Sequence, residues 1–142
     1  MPVIGCSIKS IVAERKTTAA ENMNINSTPR ITTVEEKELD LLGKQPSLLI
    51  GFEFESSYNP DVAKIKFIGE LIYATKNSKE ILKTWKKDGR LSEDADREIK
   101  NFLFKKCLTL GVNLSEELEL PPPVVFPVIL PQRKEEQPKY IG

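Results

Sequence analysis

The chain has 142 residues, which is enough for one domain with a single core, and its 39% hydrophobic and 30% charged residues are ordinary for a globular protein. Its 21 basic residues balance 21 acidic ones, so the formal net charge is zero. Proteins that coat DNA or RNA usually carry a basic excess, and a balanced charge therefore argues against that class.

Residue types that carry much of enzyme chemistry are scarce. The sequence has no histidine, and Cys6 and Cys107 are too few for a zinc site or a disulfide framework. It also lacks glycine-rich nucleotide motifs, a signal peptide and a bilayer-spanning apolar run. We therefore expect a cytoplasmic, non-enzymatic protein with no cofactor, no metal and no membrane partner.

The first forty residues predict two strands. Apolar and polar residues alternate over 3–14, and the apolar parity changes at Ile11, as it does at a β-bulge. The small and polar residues of 15–29 predict a long loop, and residues 30–39 predict the second strand.

The clearest alternation lies between residues 47 and 74 and predicts an antiparallel hairpin with a turn at 56–61. Alternation with a period of two residues implies that one face of the sheet is buried and the other is mostly exposed to solvent. The residues expected on the buried face are Leu48, Ile50, Phe52, Phe54, Ile65, Phe67 and Leu71.

Two amphipathic helices are predicted next, over 78–88 and 92–111, with Gly89 and Gly111 as their stops. Ile99, Phe102 and Leu103 of the second helix would cover the sheet. The predicted fold class is α+β: an antiparallel sheet over 3–74, two amphipathic helices packed on one face, and an extended proline-rich C-terminal arm.

The arm, residues 121–131, completes a single domain, 1–131, and a polar tail, 132–142, follows it. Three consecutive prolines favour an extended form. The arm could bind a protein partner or a second copy of the chain, or it could pack on its own sheet. We favour packing, because its apolar side chains would be costly to expose: Val124, Val125, Phe126, Val128 and Ile129.

Charge is concentrated in residues 76–90, where six basic and two acidic residues give a net charge of +4. This basic helix could bind RNA, as in an accessory protein of the ribosome, through Lys76, Lys79, Lys83, Lys86, Lys87 and Arg90. A solvated helix face explains the lysines equally well. Trp85 shares a stripe with apolar residues, and we expect it to point into the core.

A third hypothesis, an enzyme of unknown type, depends only on a possible pocket near Glu53 and Glu70. Glu53, Glu55 and Glu70 could approach one another across the hairpin and do acid–base work or bind a cation. Cross-strand ion pairs on a wet face explain them more simply. Cys107 beside Lys106 could have a lowered pKa, but a half-buried helical cysteine is usually a packing residue.

Three segments together resemble the SecB-like fold of export chaperones. They are the strand Ile65–Tyr73, the helix 92–111, and Leu118-Glu119-Leu120-Pro121-Pro122-Pro123-Val124-Val125-Phe126. The resemblance covers residues 45–130, and the basic helix 77–88 is an addition to the family's order of elements. It implies an antiparallel sheet followed by a long helix, and a role in binding unfolded polypeptides.

Overall fold

The computed structural model describes residues 3–18, 22–39 and 45–131, which form one four-stranded sheet and two helices. The elements in chain order are β1 (Val3–Arg15), β2 (Asn24–Leu39), β3 (Gln45–Asn59), β4 (Ala63–Ala74), α1 (Ser78–Asp88) and α2 (Glu93–Glu117). The sheet is antiparallel throughout, with the order β1-β4-β3-β2. The α+β class is confirmed, and the predicted tail, 132–142, lies outside the described residues.

The core lies between the sheet and α2. Every second residue of β3 and β4 is buried, and all seven residues predicted for the buried face belong to the core. Ile99 and Leu103 of α2 are fully buried above them, whereas Phe102 is only half-buried. Phe102 and Phe104 both pack against the core while half-buried, and Phe104 meets Phe54 edge to face, with ring centroids 5.5 Å apart.

The first half of the sheet differs from prediction at one place. The β-bulge in β1 is confirmed by a register shift between Ile8 and Ser10. The predicted loop over 15–29 is wrong, because β2 already begins at Asn24 and pairs with β3 from Asn59 onward. β2 lies at the edge of the sheet, where polar residues can occupy the exposed side without cost, so its sequence resembles a loop.

The helix ends show two uses of glycine. Gly89 ends α1 in the left-handed conformation, with φ of 68°, and donates its N–H to the Trp85 carbonyl at 2.8 Å, as predicted. The predicted stop at Gly111 is wrong, because α2 continues to Glu117. Gly111 is buried, and a Cβ there would lie 3.3 Å from Cγ of Pro123. Its missing side chain therefore makes room for the arm.

Within the part of the chain that the structure describes, no helix combines the length and the apolar content that crossing a membrane requires.

Candidate functional site

Polar contacts fasten the beginning of the arm to the domain. The Arg15 guanidinium of β1 donates to the carbonyl oxygens of Leu118, at 2.9 Å, and Glu119, at 3.2 Å. The fully buried Tyr58 donates its hydroxyl to the Pro121 carbonyl at 2.6 Å. Leu120 is buried between these contacts. The chain is thus held at both sides of the point where α2 gives way to the arm.

Beyond Val124 most side chains of the arm are exposed. Val124 is half-buried, but Val125 and Ile129 are fully exposed, and Val128 and Phe126 are exposed for the larger part. The expectation that the arm packs on its own sheet is therefore wrong for most of its length. Proline-rich backbone holds the segment extended without hydrogen bonds, so its apolar side chains project into solvent.

An apolar groove runs between the arm and one side of α2. We call it the arm groove; its volume is about 590 Å³. Apolar side chains of Phe104, Leu108, Val112, Val124 and Phe126 line it, and the polar rim consists of Asn101, Lys105, Thr109 and Asn113. An open groove of this kind suits an extended polypeptide, whose side chains enter the apolar part while its backbone meets the polar rim.

The arm residues that line this groove were among those predicted from the sequence, whereas the lining residues of α2 were not. Phe104, Leu108 and Val112 repeat with a spacing of four, in a row beside the buried row that includes Leu103 and Cys107. A helix that packs on the core with one face needs only one such row of apolar residues. The second apolar row was the available signal for a further surface on α2.

The six predicted RNA-binding cations lie at the other helix and are all exposed. Lys79, Lys83, Lys86 and Lys87 line one common groove, whose volume is about 520 Å³. Lys76 and Arg90 lie elsewhere, at two different pockets. The structure therefore brings four of the six together.

Trp85 does not belong to that lysine surface. It is half-buried against the core, as expected, and it lines a separate pocket with Ile31, Leu91 and Lys100. An exposed aromatic ring among the lysines would offer a base a stacking platform, and Trp85 is not placed to provide one.

The residues considered for catalysis occupy structural positions. Glu53 lies between Arg30 and Lys66 in ion pairs, and Glu70 pairs with Lys9 at 3.3 Å. Glu55 accepts a hydrogen bond from Ser57. Cross-strand ion pairs thus account for Glu53 and Glu70, and a hydrogen bond within β3 for Glu55.

Cys107 is fully buried in α2, and burial raises the pKa of its thiol to about 12. Lys106 opposes this shift without cancelling it. The thiol is a packing group, as the sequence favoured. Among residues 3–18, 22–39 and 45–131, no three side chains of the metal-binding types come together.

Comparison with known proteins identifies the fold. No protein-family model matches the chain, and no curated protein matches it in sequence. A solved structure does match: the Mycobacterium tuberculosis SecB-like chaperone Rv1957, in complex with a ChAD peptide from the HigA1 antitoxin. The match covers 92% of this chain and 91% of that one, with a TM-score of 0.58 and 12% sequence identity.

The chain therefore has a SecB-like fold, as the order of its segments indicated. At 12% identity the match establishes the architecture and leaves the function to be argued from this chain's own surfaces. The matching protein is a chaperone bound to a peptide, and nothing in the comparisons supports association with the ribosome.

Proposed function

We propose that this protein binds extended apolar segments of other polypeptides in the manner of a chaperone, without catalysis, and that the arm groove is the binding site. The observation that carries this proposal is the exposure of an apolar arm beside an apolar groove in the same molecule. Contiguous apolar surface of this kind is a mark of protein-binding sites. The SecB-like architecture, seen with a peptide in the matching structure, supports the same role.

The construction of the groove fits a client that varies in sequence. One wall is supplied by α2, which is fixed by the core, and the other by the arm, whose side chains beyond Val124 are largely exposed. Phe126 and Val124 can therefore adjust to side chains of different size. Binding gains come from burial of apolar area, which depends little on the order of residues in the client.

The test measures whether the full-length protein delays aggregation of a chemically unfolded client, followed by light scattering after dilution from denaturant. We expect wild type to delay aggregation, and Leu108→Asp and Phe126→Asp to remove most of the effect, because each places a charge on an apolar wall. The matched control is Ile11→Asp, since Ile11 is 52% exposed and Phe126 51%, yet Ile11 lies on β1 outside the groove.

Circular dichroism and thermal unfolding must show that all three variants are folded. The proposal fails if wild type has no effect on the client at any ratio. If the wild type is active and Ile11→Asp alone abolishes the activity, binding occurs at the β1 edge and the arm groove is the wrong site.

A further inference from the structure

The exposed face of α1 forms a second surface that the arm groove does not explain. Lys79, Lys83 and Lys87 follow one another at a spacing of four, so they form a row about 12 Å long on one side of the helix. Lys86 lies beside this row, and Leu82, which packs partly against the core, lines the groove between the lysines. We call this surface, with Glu36 of β2 at its border, the lysine groove.

No ion pair between described residues involves the lysines of the lysine groove. Such pairs are formed by other cations, such as Lys9 and Arg97. Lysines clustered on one face repel each other at low salt, and an anionic partner would relieve that repulsion. We propose that the lysine groove binds a short acidic segment of another protein, in which carboxylates flank an apolar side chain.

Spacing supports a peptide of this kind. Side chains four residues apart on a helix lie about 6 Å from each other. Alternate residues of an extended chain lie about 6.6 Å apart and point to the same side. Carboxylates at alternate positions of an extended segment can therefore meet successive lysines of the row, and an apolar side chain at another of these same-side positions can contact Leu82.

Three features favour an acidic peptide over RNA. The groove contains Leu82, which gains from an apolar partner and offers nothing to a phosphate. Glu36 also lines the groove, and Glu38 is exposed on the same face of β2, so a long polyanion that continued past α1 would meet carboxylates. Trp85 lines another pocket, and the described lining of the lysine groove contains no aromatic ring on which a base could stack.

The test uses the full-length protein and fluorescence anisotropy with three labelled probes. The first is a peptide of about eight residues whose alternate positions are glutamate except for a central one, which is leucine, so that all of these side chains point to one side; its length covers the row with a margin. The second replaces each glutamate by glutamine, and the third is an oligouridylate of equal charge. We expect the acidic peptide to bind at low salt, to weaken as salt increases, and to bind more tightly than both other probes.

Two double variants localise the binding. Lys83→Glu/Lys86→Glu should weaken the acidic peptide by at least about tenfold, because attraction becomes repulsion. Lys9→Glu/Arg97→Glu makes the same change of charge at two exposed cations that line no part of the groove, and it should leave the affinity within about twofold.

Several outcomes would overturn the proposal: no binding of the acidic peptide to wild type, equal loss in both double variants, or tighter binding of the oligouridylate than of the peptide. A further control separates this surface from the proposed client site. Phe126→Asp should leave binding of the acidic peptide unchanged, and loss of binding in that variant would place the peptide in the arm groove and exclude the lysine groove.

Discussion

Two glycines of the sheet differ sharply in the space around them. A Cβ at Gly69 of β4 would collide with the backbone oxygen of Ser7 on β1 and would lie 3.0 Å from Cζ of Phe52. A Cβ at Gly5 would meet only Cδ1 of Ile72, at 3.7 Å, which is ordinary contact. Gly69 faces the β1 bulge, so the two strands approach closely there because no side chain intervenes.

We therefore expect Gly69→Ala to destabilise the fold by about 1–3 kcal/mol, since the obstacle is backbone and fixed core rather than a flexible side-chain end. Gly5→Ala should change the free energy of unfolding by less than about 0.5 kcal/mol. Urea denaturation of both variants checks this. Equal stability of Gly69→Ala and wild type would show that β1 and β4 do not approach as closely as the bulge implies.

A hydroxyl at the base of the arm gives a second residue-scale prediction. Tyr58→Phe removes the hydrogen bond to the Pro121 carbonyl, which should cost about 1 kcal/mol. Because this bond holds the start of the arm, limited proteolysis should cut the arm faster in the variant. Tyr73→Phe is the matched control, since its hydroxyl bonds to Glu98 of α2 and not to the arm. If both variants are cut at the wild-type rate, Tyr58 does not restrain the arm.

At the scale of elements, the position of a strand in the sheet determines how clearly the sequence predicts that strand. β3 and β4 have strong alternation because both are central strands with one face under α2. Residues 24–29 of β2 lie at an edge, where polar side chains replace the outer apolar ones, so their alternation is weak. The end of α2 was mispredicted because Gly111 serves close packing with Pro123, which requires knowledge of the tertiary contact.

The same limit applies to the two surfaces. The apolar arm and the lysines of α1 were visible as composition, since they are runs of one residue class in the chain. The prediction that the arm packs on the sheet was based only on the cost of exposing its apolar side chains. That prediction is wrong because α2 already covers the sheet face that the arm would need. The groove between arm and helix depends on Arg15 and Tyr58, which are distant in sequence from the segment they hold.

At the scale of the whole molecule, two buried tyrosine hydroxyls and one buried thiol limit the stability of the fold at alkaline pH. The ordinary pKa of a tyrosine hydroxyl is 10.0. Desolvation raises the pKa of Tyr58 to about 12, and desolvation, with a smaller effect from the hydrogen bond to Glu98, raises the pKa of Tyr73 to about 12 as well. Burial raises the pKa of Cys107 from 9.0 to about 12. All three groups are thus held protonated in the folded state above the pH at which they ionise in an unfolded chain.

The sign of the resulting pH dependence follows from proton binding. Between the unfolded and folded pKa values the unfolded chain holds fewer protons, so the free energy of unfolding falls as pH rises. We expect constant stability from these groups below about pH 9, the ordinary range of a thiol, and progressive loss toward about pH 12, the folded value. Urea denaturation at a series of pH values measures the slope. Tyr58→Phe/Tyr73→Phe lacks two of the three groups and should show a smaller slope. An unchanged slope in this variant would mean that the tyrosines are not responsible, because phenylalanine keeps the packing and removes only the titrating hydroxyl and its hydrogen bond.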